Sequence, residues 1–212
     1  MPPTPSSIAQ SERAALCSLL DQRGPLAPTL CEGWTTADLA AHLYIRERRP
    51  VAAAGILVPQ LKATTQSAMD EAKRSLGYEE LIRRLASGPP ALVRPLDEQM
   101  NTVEYFVHHE DVLRAGPTAA EPREDAALDA ALWRALRRGA RLLARKLRGA
   151  GLVLVAPGFG SVTARSGEPL VTMTAGPQEL VLYLFGRGRV ARVQLDGDEG
   201  AVARVQEAPF GA

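Results

Sequence analysis

Hydrophobic periodicity changes once along this chain, at Gly151, and that change limits the architectures open to it. Before it, apolar residues recur every three or four positions; after it they fall in short runs such as "LVLVA" and "PLVTMT". The first spacing is that of amphipathic helices and the second that of strands. Residues 6–22 carry Ile8, Ala15, Leu16, Leu19 and Leu20 on a helical spacing, and Gly24, Pro25 and Pro28 end that segment. A second helix is expected over "WTTADLAAHLYIRERRP". Thr35 is its N-cap, Asp38 follows three residues on as in a capping box, and Trp34 and Leu39 are placed for a hydrophobic staple. Pro50 closes it. A third helical stretch over 56–75 breaks at Gly77 and resumes over "YEELIRRLAS", and Pro89, Pro90 and Pro95 mark a loop. A fourth helix begins near Asn101 and ends by Gly116 and Pro117. The fifth, over 124–148, sets Leu128, Leu132, Leu136, Leu143 and Leu147 mostly four apart.

Beyond Gly151, "LVLVA" and "SVTAR" flank a turn at 158–160 and read as a hairpin. "PLVTMT" and "RVARVQL" are further strands, and "GPQELVLYLFG" and "DEGAVARVQ" are short helices. Strands that begin only after the long helices end predict an α+β protein. The expected domains are a helical bundle over 1–149 and a small α/β domain over 150–212.

The 212 residues hold 25 Lys plus Arg against 24 Asp plus Glu. A net charge of +1 gives no overall attraction for nucleic acid or an anionic membrane, and neither is expected as a partner. The fifth helix does carry a basic stripe of Arg134, Arg137, Arg138, Arg141, Arg145, Lys146 and Arg148. Few aromatics interleave these charges, so a solvated face is the reading. No apolar run approaches the length of about 18 residues that marks a membrane span. The opening "MPPTPSSIAQSER" lacks the basic-then-apolar pattern of a secretory leader, and a cytoplasmic location is expected. Cys17 and Cys31 are too few for a disulfide framework. Neither has basic neighbours to generate a thiolate, so both are expected to be structural.

The chemistry-bearing residues gather in "VEYFVHHEDV", residues 103–112, which holds two of the three histidines. Glu104 and His108, four apart, share a helix face, whereas His109 is turned about 100° away. His42, in the second helix, is the third histidine. Two helices facing each other would bring His42, Glu104 and His108 into one tripod, a common way for bundles to build metal sites. Two imidazoles and a carboxylate suit Zn²⁺, and also Fe²⁺ or Ni²⁺. Other readings of the same residues stand beside this one. Asn101-x-x-Glu104 is a capping arrangement if the helix starts there, and His42 among leucines can be an ordinary core histidine. Arg46, one turn beyond His42, either faces the same cavity or pairs with Glu47 or Asp111 on the surface. Asp111, three residues after His108, either orients that ring from behind or faces water.

"TLCEGWTTADLAAHL" followed by "NTVEYFVHHEDV" resembles the metal-binding, up-down four-helix-type bundle of the DinB-like superfamily. The nearer likeness is to its branch of mycothiol-dependent maleylpyruvate isomerases. "GEPLVTMTAGPQELVLYLFGR" and "LDGDEGAVARV" resemble the sterol-carrier-like domain that follows the bundle in such proteins. The resemblance implies His42, Glu104 and His108 as metal ligands, zinc as the metal and mycothiol as a cosubstrate. Arg187, in "FGRGR", matches the Gly-Arg that ends the C-terminal helix in relatives, and is implied as a catalytic clamp on a substrate carboxylate. An ordinary surface arginine is the alternative for it. Arg46 is the candidate for contacting the cosubstrate. "RERRP" and "VHHEDVLRA" look more like a sister group than the isomerase itself, so the metal site carries over better than the substrate. The expected function is a thiol-dependent metalloenzyme, an S-transferase or isomerase, acting on a small molecule as a monomer or homodimer. The alternative is a non-catalytic binding protein with a structural metal.

Overall fold

The computed structural model describes residues 7–49, 59–89, 97–116 and 121–211. Pro50, Pro90, Pro95 and Pro117, and the first residues of the third expected helix, lie outside these ranges. The chain divides into two compact units, Met1–Ala120 and Glu121–Ala212.

The first unit holds α1 (Ile8–Arg23), α2 (Thr36–Arg48), α3 (Lys62–Leu76), α4 (Tyr78–Ala86) and α5 (Asp97–Leu113), with one 3₁₀ turn, Pro59–Leu61, leading into α3. Ser7 caps α1 by accepting from the Gln10 amide at 3.3 Å. The capping box expected for α2 forms: Asp38 Oδ2 accepts from the Thr35 amide at 2.9 Å, and Thr35 Oγ1 from the Asp38 amide at 3.4 Å. Each such cap satisfies helix-end donors that have no partner within the helix. Gly77, at φ +75°, breaks the path between α3 and α4. α1 packs along α5, and α2 packs on α3 and α4. Leu16, Leu20, Leu39, Leu43, Ile45, Met69, Leu81, Leu85 and Tyr105 form the shared core. Each fully buried leucine contributes about 1.5–3 kcal/mol relative to an exposed one.

A charged group sits inside this apolar core. Arg13 of α1 pairs with Glu47 of α2 at 2.8 Å, their side chains 4% and 1% exposed. Arg13 Nε also donates to the Tyr105 hydroxyl of α5 at 3.2 Å, and that hydroxyl donates to Glu47 Oε1. Burial and the Glu47 charge push the Tyr105 phenol upward, so it stays protonated and can donate.

The second unit opens with α6 (Ala126–Leu143), capped by Asp125, whose Oδ1 accepts from the Ala127 and Leu128 amides at 3.0 and 2.9 Å. Strands β1 (Gly151–Ala156), β2 (Gly160–Arg165), β3 (Leu170–Thr174) and β4 (Gln194–Asp196) form one sheet in the order β2-β1-β3-β4. β1 and β2 are the expected hairpin, β1 and β3 run parallel, and β3 and β4 antiparallel. At Gly151 a Cβ would lie 2.2 Å from the Gly167 carbonyl oxygen, so the first residue of β1 has no room for a side chain. α7 (Pro177–Leu182) runs into a π-helical turn, Tyr183–Arg187, and α8 (Glu199–Glu207) ends the fold. α6 packs on β2 and α7, burying Leu128, Leu132, Trp133, Leu136 and Ala140.

The α+β class is borne out: long helices first, then a small four-stranded sheet with short helices. Three details differ from expectation. The helix placed in the bundle by a boundary at 149 is α6, and it belongs to the unit that starts at Glu121, because its leucine stripe is covered by the sheet and α7. "RVARVQL" forms strand only at Gln194–Asp196, where it pairs with β3. α5 begins at Asp97, a turn before Asn101. The seven basic residues of the expected stripe are exposed, four of them on α6 and Arg145, Lys146 and Arg148 beyond its end at Leu143. Among the described residues no helix is long and apolar enough to cross a membrane.

Candidate metal centre

α2 presents His42 and α5 presents Glu104 and His108, and the side chains of these two helices meet inside the first unit. One ligand atom from each of the three lies within 4.8 Å of the others. Both histidines turn Nε2 toward the same carboxylate oxygen, Glu104 Oε1, at 3.5 Å from His42 and 3.3 Å from His108. The imidazoles stand edge to face with ring centres 5.4 Å apart. His42 and His108 are 7% and 8% exposed, so both imidazoles are largely withdrawn from water, and the Glu104 side chain is 22% exposed.

Each histidine is held from behind. The Trp34 ring lies 5.1 Å from that of His42. His108 Nδ1 lies 2.9 Å from Asp111 Oδ2, and Asp111 is fully buried. A carboxylate only accepts, so Nδ1 carries the proton and Nε2 is the nitrogen turned to Glu104. The orienting role is therefore the one Asp111 occupies, and the water-facing alternative is excluded.

Electrostatics follow from these contacts. Burial pushes the Glu104 carboxyl upward, but hydrogen bonds from His108 and His42 and the Arg46 charge outweigh it and hold the group well below the usual carboxylate range. Burial lowers His42, and the Glu104 hydrogen bond offsets only part of that. For His108 burial also acts downward, but bonds with Asp111, Cys31 and Glu104 prevail and hold it well above the usual imidazole range. At neutral pH the site therefore keeps an ionised Glu104 beside a neutral His42.

Arg46 reaches the same carboxylate as the two histidines. Its Nε lies 3.2 Å from Glu104 Oε1 and its Nη1 donates to Asn101 Oδ1. Glu47, one of the surface partners expected for it, is turned inward to Arg13, and Asp111, the other, to His108. The capping reading of Asn101 also fails: the residue sits in the second turn of α5, and its side chain serves Arg46. A cavity of about 580 Å³ opens beside His42, lined by Trp34, Lys62, Ala63, Thr65, Gln66 and Met69. Arg187, in the second unit, ends the π-helical turn and donates through Nη1 to the Phe185 carbonyl at 2.6 Å.

His109 is turned away from the trio. Its Nδ1 lies 3.3 Å from Glu110 Oε1, and Glu110 Oε2 accepts from Arg114 Nε at 2.7 Å. His109→Ala is expected to leave metal stoichiometry unchanged when the protein is loaded, desalted and analysed by atomic emission. A fall to near zero would show that the ligand is His109 and not His108.

Sequence reasoning missed one partner. Cys31 Sγ donates to Asp111 Oδ2 at 3.3 Å, across 80 positions of chain, and Cys31, His108 and Asp111 form a second close group of potential ligands. No local pattern announces so distant a contact.

Residues 8–101 match the family model of the mycothiol maleylpyruvate isomerase N-terminal domain. The match includes His42 and stops short of Glu104 and His108. A crystal structure of the mycothiol-dependent maleylpyruvate isomerase is similar in fold, with a TM-score of 0.54 and 19% sequence identity over 89% of this chain and 90% of that one. No curated protein matches the sequence. The resemblance read from "GW…DLAAHL" is thus borne out: the N-terminal part of the chain is similar to the corresponding domain of the mycothiol-dependent isomerase branch, and the fold is similar to that of such an isomerase.

Proposed function

We propose, from that branch and from the geometry of the trio, that this protein holds a divalent cation on His42, Glu104 and His108 and works with a low-mass thiol. Mycothiol is the thiol the family points to. The observation that carries the reading is that two imidazole Nε2 atoms from different helices converge on one carboxylate oxygen. That donor set, two nitrogens and one oxygen, fits zinc and is the composition of many catalytic zinc sites. A cation so bound lowers the pKa of a thiol and supplies thiolate at neutral pH.

The chain's own residues supply the rest. Asp111 fixes the His108 tautomer, and Trp34 packs on His42. The cavity beside His42 offers an organic ligand a wall of Trp34 and Met69 and polar groups on Lys62, Thr65 and Gln66. Arg46, beside Glu104, supplies a guanidinium for an anionic end of thiol or substrate. Arg187 is proposed as a further guanidinium for an anionic ligand. The reaction class is thiol transfer or thiol-assisted isomerisation.

The test combines metal analysis with calorimetric titration of mycothiol into loaded and stripped protein. About one zinc per chain is expected, with thiol binding confined to the loaded form. Absence of metal after loading would overturn the reading, and metal without thiol binding would leave a structural ion in a non-catalytic protein. Glu104→Gln separates ligation from helix stability, since an amide binds metal poorly: metal should be lost while helix content is retained. Arg187→Ala should weaken an anionic ligand by about 1.5–3 kcal/mol, the scale of a hydrogen bond to a charged group, and leave metal content unchanged.

A further inference from the structure

The turn before α2 reaches both histidines of the trio. Trp34, at its end, packs on His42, and Cys31, at its middle, bonds to the carboxylate behind His108. We infer that Cys31 is a positioning residue of this centre: its S–H, donated to Asp111 Oδ2, fixes the carboxylate that fixes the His108 ring. The inference rests on the metal-centre reading above.

Asp111 Oδ2 takes both contacts, from Cys31 Sγ at 3.3 Å and from His108 Nδ1 at 2.9 Å. Both must be donors, because a carboxylate has nothing to give. With Asp111 fully buried, the two bonds also satisfy an oxygen whose desolvation would otherwise be costly. The thiol is the weaker donor of the two.

Cys31 is itself held in place. The Thr29 hydroxyl donates to the Trp34 carbonyl at 3.0 Å and accepts from the Cys31 amide at 3.2 Å. The Trp34 amide donates to the Cys31 carbonyl at 2.9 Å, Pro28 and Thr35 form a bridge across the base, and Gly33 provides the positive φ of +75°. The Leu30 amide donates to the backbone carbonyl of Asp111 at 3.0 Å, so the turn grips main chain and side chain of one residue. Cys17 makes the contrast. It is buried among core residues, its thiol is pushed up to about 12 by burial, and its Sγ donates to the Ile82 carbonyl at 3.9 Å.

The competing possibility is that Cys31 ligates metal directly, since its sulfur, His108 and Asp111 offer atoms within 4.8 Å of one another. Cobalt substitution separates the two. The test uses the full chain as wild type, Cys31→Ala and Cys31→Ser, with zinc affinity measured by competition against a chromophoric chelator. Loss of a partner behind a metal ligand weakens binding by about 10–100-fold, and Cys31→Ala is expected near the low end, about tenfold. Cys31→Ser keeps a donor and should recover most of that loss. In the metal-free proteins, long-range ¹H–¹⁵N spectra of the imidazoles should show a hydrogen-bonded His108 Nδ1–H in wild type and Cys31→Ser, broadened by exchange in Cys31→Ala. The cobalt form should lack a sulfur-to-cobalt charge-transfer band. Unchanged affinity together with an unchanged His108 spectrum would overturn the inference, as would a cobalt–thiolate band that Cys31→Ala removes. If wild type binds no zinc at all, the metal reading fails, and the His108 spectra still decide whether Cys31 positions the ring.

Discussion

His42→Ala is expected to lower bound zinc from about one per chain to near zero, and His108→Ala to do the same. Of the three proposed ligands, removal of either imidazole leaves one nitrogen and one oxygen, too few to hold a divalent ion through desalting. The two variants should differ in stability. His42 gives up a contact with Trp34, whereas removing His108 also strips the fully buried Asp111 of its main donor. A carboxylate buried in that way is costly, so His108→Ala should melt lower than His42→Ala. Atomic emission on desalted protein reads the metal, and thermal unfolding reads the difference. Full occupancy in both variants would sink the ligand assignment.

The second large effect lies in the core of the first unit. Glu47→Ala is expected to destabilise it by about 3–5 kcal/mol, because it removes the buried carboxylate that pairs with the Arg13 guanidinium and accepts from the Tyr105 hydroxyl. Out of a typical total of about 5–15 kcal/mol, that is a large share. The pair is not therefore a net gain over hydrophobic packing. Glu47 Oε2 is buried and has no hydrogen-bond partner among the described residues, so the group is incompletely satisfied. Replacing both partners at once, Arg13→Leu with Glu47→Met, should cost less than either single change. Urea unfolding of the four proteins gives the cycle. Additive losses would mean that the two charges act independently.

Local features of this fold were legible in the sequence. The Thr35 and Asp38 cap could be read because both partners lie within one turn. The change from helices to strands at Gly151 is a matter of period, and the i,i+4 spacing of Glu104 and His108 puts them on one face by helix geometry alone. What could not be read depends on contacts between distant segments. Arg46 chose Glu104 over Glu47 because Glu47 is taken by Arg13, thirty-four positions back, and no pattern around Arg46 encodes that. Cys31 looked inert because its acceptor is 80 residues away. Asn101 looked like a cap because it is a common capping residue with Glu104 three positions on, whereas the helix starts a turn earlier, at Asp97. The expected strand over "RVARVQL" contracted because only its last residues find a neighbouring strand.

The place of α6 bears on how this protein can be cut. Its apolar side, with Leu128, Leu132, Trp133 and Leu136, is covered by β2 and α7 of its own unit. A fragment ending at residue 149 would carry that helix away from its cover and present a leucine and tryptophan stripe to solvent, a surface prone to aggregation. A fragment ending at Ala120 keeps α1 to α5, with all three candidate ligands, and sheds the stripe. The reciprocal piece, begun at Glu121, retains the helix its sheet leans on. Any dissection of ligand capture from the C-terminal half therefore has its natural seam before α6, some thirty residues upstream of the glycines that look like a linker.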